Sequence, residues 1–268
     1  MAKKNSKITV IVPLHDLSDK GLDMLNKAIS SVDENAKIII SCINGTDIES
    51  IGKFETKCDV TLVAKSEGTS FQELVNAAVE AVTTDWFSVL EYDDTYSKIW
   101  YDNALKYIDF KSDVSVLMFF EDIFDINTGK YLGMGNESTW ASSFSEEIGY
   151  LDNQALMNYF DYYMTGCLFK KDDWKEIGGL KPHIKVTFWY EWLLRATSQG
   201  KKIFTIPKIG YVHQMGRSGS LTDIYQQTLS DKEVQWWFDL AKRDFHYKGE
   251  KDADYYIYKE KNEDDDSE

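Results

Sequence analysis

Apolar and polar positions change period repeatedly along the first half of the chain. Ile8-Thr9-Val10-Ile11-Val12-Pro13 is a β-branched run stopped by proline, the pattern of a strand. From Lys20 to Val32 the apolar residues Leu22, Leu25, Ala28, Ile29 and Val32 fall at helical spacing. A second strand, Lys37 to Ile43, breaks at the turn signal Asn44-Gly45, and Val60-Thr61-Leu62-Val63 reads as a third. Phe71 to Val82 returns to helical period, Phe87 to Leu90 to a buried strand, and Trp100 to Ile108 to a helix. Strands alternating with helical crossovers predict parallel βαβ units, an α/β fold with helices on both faces of the sheet.

The second half is patterned differently. Val114 to Phe120 and Met164 to Phe169 read as strands, with a hairpin turn at Asp125 to Lys130. Asp172 to Ile177 and Trp189 to Ser198 read as helices, the latter stopped by Gly200. Ile203 to Pro207 is predicted as the last strand, and Leu229 to Phe245 as one closing amphipathic helix with Trp236 and Trp237 in its core face. No repeat or Pro/Gly-rich linker interrupts the chain. The expected organisation is a main domain over 1–220, a helical extension over 221–259 and a disordered acidic tail over 260–268.

With 268 residues, 43% of them apolar, the chain can bury a substantial core. Its formal charge of −15 argues against a broad footprint on nucleic acid or an anionic membrane. Cys42, Cys58 and Cys167 have no metal-ligand spacing and read as reduced thiols. No signal peptide and no run long enough to span a bilayer is visible, so a soluble, cytoplasmic protein is expected.

Candidate chemistry gathers where strands end. His15, Asp16, Asn44, Glu91, Asp93 and Asp94 all fall at predicted carboxyl ends, the side of a parallel sheet on which ligands bind. Glu91-Tyr92-Asp93-Asp94 puts three acids at the end of a buried strand. Such acids either hold a hard cation such as Mg²⁺ or Mn²⁺, or form a solvated corner with Asp94 capping the next helix.

The order of these motifs resembles the family 2 inverting glycosyltransferases with the GT-A (Rossmann-like) fold, over roughly residues 8 to 220. Val12-Pro13-Leu14-His15-Asp16 is similar to the family's first strand end, and Cys42-Ile43-Asn44-Gly45-Thr46 stands at its second. Asn76 resembles an asparagine of the following helix, and Glu91-Tyr92-Asp93-Asp94 the Asp-x-Asp-Asp strand end. Thr165 to Lys171, Trp174 to Leu180, Tyr190 to Arg195 and Tyr211 to Ser220 resemble later acceptor-side and phosphate-side elements. The chain departs from the pattern in three places: Glu91 replaces an aspartate, Ile43 stands where an acid often reads the nucleobase, and Val75 replaces an arginine. The nucleotide is therefore left open.

The resemblance implies a metal-dependent transfer of a sugar from a nucleotide-diphosphate sugar to a hydroxyl, with Mn²⁺ or Mg²⁺. Asp93 and His213 are the implied metal ligands. Pro13, His15, Asp16, Asn44, Asn76, Glu91, Asp94, Arg217 and Ser218 are the implied donor contacts. Glu191 is the implied general base, its pKa raised by Trp189, Tyr190 and Trp192; its spacing to Arg195 is equally that of an ordinary helical salt bridge. Asn136 to Phe144 and Tyr159 to Tyr163 form either an acceptor surface or plain aromatic core. The acceptor expected first is a glycan. The alternatives are a hydroxylated base in nucleic acid, met by a rim of Lys170, Lys171, Lys181, Lys185, Lys201 and Lys202, and a binding module that keeps the fold without the chemistry.

Overall fold

A computed structural model describes residues 6–15, 19–43, 54, 56–144 and 147–245. The β-branched runs pack as the centre of a mixed sheet. β1 (Ile8–Leu14) is buried along its whole length, and β2 (Lys37–Ile43) along all but its ends. Their period-2 alternation splits the core in two. Val10, Val12, Leu14, Ile38 and Ile40 face one apolar cluster with Leu25, Ile29 and Trp100, while Ile11 and Ile39 face another with Phe71, Val75, Val79 and Trp192.

The remaining strands are β3 (Asp59–Lys65), β4 (Trp86–Val89), β5 (Thr95–Tyr96), β6 (Val116–Asp125), β7 (Tyr131–Gly135), β8 (Tyr150–Leu151), β9 (Leu168–Lys170) and β10 (Ile203–Met215). They lie in the order β3-β2-β1-β4-β9-β6-β10-β5, with β7 added to β6 and β8 to β10. β3, β2, β1 and β4 are mutually parallel, as are β6 and β10; β9 runs antiparallel between the two groups.

Helices cover both faces: α1 (Asp19–Ser30), α2 (Phe71–Ala81), α3 (Trp100–Phe110), α4 (Asn153–Asn158), α5 (Lys171–Ile177), α6 (Phe188–Ser198), α7 (Leu221–Thr228) and α8 (Asp231–Phe245). α2 starts on a capping box, in which Ser70 and Glu73 satisfy each other's backbone N–H groups.

Three elements differ from the sequence pattern. The final strand runs on through Pro207 to Met215, because shifts in its register with β6 between Ile206 and Tyr211 absorb the missing N–H. Met164 to Cys167 is a turn rather than a strand, since Gly166 takes φ +75°. The closing helix is a single helix as expected, α8 beginning after Ser230, whose hydroxyl accepts from the Glu233 N–H, but a further helix that the pattern did not predict, α7, precedes it over Leu221–Thr228. Trp237 packs against the core, but Trp236 is 52% exposed and is not a core residue.

Asp16, Asn44 and the acidic tail lie outside the described residues. Cys42 and Cys167 are buried and Cys58 half-buried, all three free thiols. Among the described residues no helix is long and apolar enough to cross a membrane.

Candidate functional site

Beyond the end of β4 the chain makes a tight turn carrying the three acids. Leu90 N–H still bonds Ile11 O, Glu91 N–H donates to the Tyr211 hydroxyl at 3.2 Å, and Asp94 N–H returns to Glu91 O. β5 then pairs with Tyr211 and Val212 of β10. The turn is thus stitched between the middle and the far side of the sheet. Gly166 makes this possible: a Cβ there would come within 2.3 Å of the Tyr211 ring.

Each aspartate has a cationic partner on or just after β10. Asp94, 1% exposed, accepts from His213 Nδ1 at 3.0 Å through Oδ2 and from Gln214 N–H at 2.7 Å through Oδ1. Asp93 Oδ2 accepts from Arg217 Nε at 2.6 Å, and the guanidinium carbon stands 4.8 Å from the Tyr92 ring centroid. His15 joins from β1, its ring 6.4 Å from Tyr92 and 5.8 Å from Phe71.

Crowding of acids sets the electrostatics. Burial, then the charges of Asp94 and Asp93, push the Glu91 carboxyl up to about 8. Burial and Asp94 likewise raise Asp93 against the pull of Arg217. For His213, burial opposes the charged form, but Asp94, Glu121 and Glu91 outweigh it and carry the imidazolium up to about 10. Glu121, on β6 beside Tyr211, is 1% exposed with Oε2 unpaired among the described residues, and burial drives its pKa well above the carboxylate range.

The expected metal set does not assemble. Among the described residues no three His, Cys, Asp or Glu side chains are arranged to hold a metal ion. Asp94 has both oxygens bonded, Asp93 is paired with Arg217, and His213 Nδ1 is taken by Asp94.

Two other expected site residues have different work. Asn76 uses its whole amide on one residue: Nδ2 donates to Leu180 O at 2.7 Å and Oδ1 accepts from Leu180 N–H at 2.9 Å. It pins α2 to the α5–α6 connection. Glu191, expected as the base, is 1% exposed and paired with Arg195 through both oxygens, at 3.0 and 3.1 Å, and with Lys181 at 2.7 Å. Arg195 in turn donates to Ile177 O, Gly178 O and Gly179 O. The carboxylate is the counter-charge of this turn, and its partners are separate from those of Asp93 and Asp94.

Pro13 lies buried within β1 against Ser41 of β2, and Ser218 is exposed one residue beyond Arg217. Three of the six rim lysines are neutralised: Lys181, Lys201 and Lys202 pair with Glu191, with Asp173 and Glu176, and with Asp113, respectively. Tyr163 packs on the His213 ring at 5.2 Å, whereas Phe160 is exposed and meets Phe238 at a tilt. Sequence pattern overlooked Tyr92, Tyr211 and Glu121. The last had a signal, an acid following the apolar run Val114 to Phe120.

No family model and no curated protein matches the sequence. Solved structures do match the fold. S. aureus TarS 1–349 with UDP-GlcNAc superposes at TM-score 0.65 and 14% identity, over 88% of this chain and 65% of that one. Mannosyltransferase PcManGT from Pyrobaculum calidifontis, with GDP-Man and Mn²⁺, superposes at TM-score 0.60 and 13% identity, over 81% and 59%. The chain has the GT-A glycosyltransferase fold. It spans less than two thirds of the length of either chain.

Proposed function

We propose that this chain is an inverting glycosyltransferase that moves a sugar from a nucleotide-diphosphate sugar to an acceptor hydroxyl. The observation that carries the reading is the convergence of His15, Glu91, Asp93, Asp94, His213 and Arg217 beyond the carboxyl ends of β1 and β4. Open α/β sheets bind ligands there. The likeness to two structures solved with UDP-GlcNAc and with GDP-Man supports the donor class, and the order of motifs in the sequence supports inversion.

Sugar transfer needs neutralisation of the leaving nucleoside diphosphate, and stabilisation of developing charge is the largest catalytic contribution a fixed site offers. Arg217 and the His213 imidazolium bring two positive charges to the strand ends, with Ser218 beside them. Pro13 and His15, next to Phe71 and Tyr92, line the nucleoside side, and Glu91 reaches the ribose. Glu191 has no part in this account of the transfer, because its carboxylate is committed to Lys181 and Arg195. Divalent-metal dependence is likewise outside it, because the donor set does not fit. A glycan acceptor fits the exposed rings of Trp140, Phe160 and Trp236 better than nucleic acid fits a lysine rim of which half is already paired with acids.

A thermal-shift panel of UDP, GDP, CDP and ADP tests the reading. Selective stabilisation by one of them is expected, about 2.7 kcal/mol at a hundredfold excess over Kd. No stabilisation by any of the four contradicts it.

A further inference from the structure

Arg217 spends one nitrogen on the chain and keeps two. Nε donates to Asp93 Oδ2, while Nη1 and Nη2 make no hydrogen bond among the described residues. The side chain is nonetheless fixed, 11% exposed against an aspartate that is 6% exposed, with the guanidinium over Tyr92. Its backbone is anchored from both sides. Before it, Ile126 N–H donates to Met215 O and Asn127 Nδ2 to Gly216 O, from the β6–β7 hairpin. After it, Ser220 N–H returns to Arg217 O and Gly219 N–H donates to Asp223 Oδ2. Gly216 and Gly219, at φ +83° and +76°, shape the loop between these anchors.

A guanidinium with its Nε clamped and both Nη groups without a hydrogen-bond partner among the described residues is a preorganised fork for two oxygens of a phosphate. Asp93 is then the residue that aims the fork. Asp94 has no oxygen without a hydrogen bond, since His213 and Gln214 N–H take one each.

Resting on the transferase reading above, we propose that Arg217, oriented by Asp93, is the counter-ion of the donor's diphosphate, in the place where a divalent cation on Asp93 was expected. Asp93 is a positioning residue, and the charge that receives the leaving group belongs to the chain itself.

The two roles for Asp93 make opposite predictions. As a metal ligand it is required for nucleotide binding. As the partner of Arg217 it partly offsets the guanidinium charge, so Asp93→Asn keeps an acceptor oxygen for Nε while freeing the full charge for phosphate. Calorimetric titration of the full chain with UDP, GDP, CDP and ADP, once in EDTA and once in Mn²⁺, separates them.

The expected result is a nucleotide that binds equally in both buffers. Arg217→Ala should weaken it about ten- to a hundredfold, on the scale of a charge-assisted hydrogen bond. Arg217→Lys, which keeps charge without the fork, should fall between, and Asp93→Asn should bind as tightly as the parent or more tightly. Binding that needs Mn²⁺ and is lost in Asp93→Asn overturns the inference and leaves the transferase reading standing. No binding of any of the four nucleotides in either buffer overturns both.

Discussion

Asp94 and His213 lie 119 residues apart in sequence and 3.0 Å apart in space. The same carboxylate holds the next backbone N–H, that of Gln214, so the acid turn after β4 and the end of β10 are locked together at one residue. This lock commits Nδ1 of His213 to Asp94 and so fixes the ring at the end of β10.

The raised pKa values in this cluster set a pH dependence of stability. A group whose pKa is higher in the folded than in the unfolded chain stabilises fully below its unfolded value and loses that contribution as pH rises through the folded one. His213, moved from 6.5 to about 10, loses its share between those limits, and Glu91, moved from 4.5 to about 8, does so over a lower range. Thermal stability should therefore fall from pH 5 towards pH 10, and His213→Gln should flatten the upper part of that fall. A profile unaltered in His213→Gln would show that the Asp94–His213 pair does not set it.

Glu191→Gln tests the structural role of that residue. It leaves Arg195 and Lys181 beside a neutral amide in a buried position, a loss of about 3–5 kcal/mol for removing one partner of a buried pair. Denaturant unfolding should show the loss, with nucleotide affinity unchanged. Intact stability together with abolished turnover would restore the base role.

Asn76→Ala removes both hydrogen bonds to Leu180 and leaves a half-buried backbone without its partners. The expected cost is about 1–3 kcal/mol. Nucleotide Kd should not move; a clear weakening would return Asn76 to the donor site.

Gly166→Ala places a methyl group into the Tyr211 ring at a left-handed φ. Backbone strain alone costs about 1–3 kcal/mol, and displacing Tyr211 withdraws its hydroxyl from Glu91 N–H. Lower stability and weaker nucleotide binding are expected together. Gly200→Ala serves as the contrast, since nothing crowds a Cβ there and only strain applies.

The parallel half of the fold was legible because β1, β2 and β4 are buried on both faces and so read as near-continuous apolar runs. β10 was cut short because Pro207 is a stop signal in isolation, and only the register shift against β6 shows how the strand continues. The acids of the site were equally plain, clustered within four residues. Their partners were harder to read, because Arg217 and His213 lie well over a hundred residues downstream and no local period reports such pairing. Glu191 illustrates the opposite case. Its i,i+4 spacing to Arg195 was visible, but Lys181 and the three carbonyls that complete the cluster come from a separate turn. Asn76 was placed by resemblance alone, and only the fold shows Leu180 across from it.

Turnover of a nucleotide sugar tests sugar transfer itself. Purified chain incubated with UDP-, GDP-, CDP- and ADP-sugars, in EDTA and in Mn²⁺, should release nucleoside diphosphate from one donor class, faster with a glycan acceptor present. Arg217→Ala should cut that rate at least about tenfold, as expected for losing one charge-assisted contact to the leaving group. Absence of release from every donor in both buffers, by a chain that remains folded, would contradict the account.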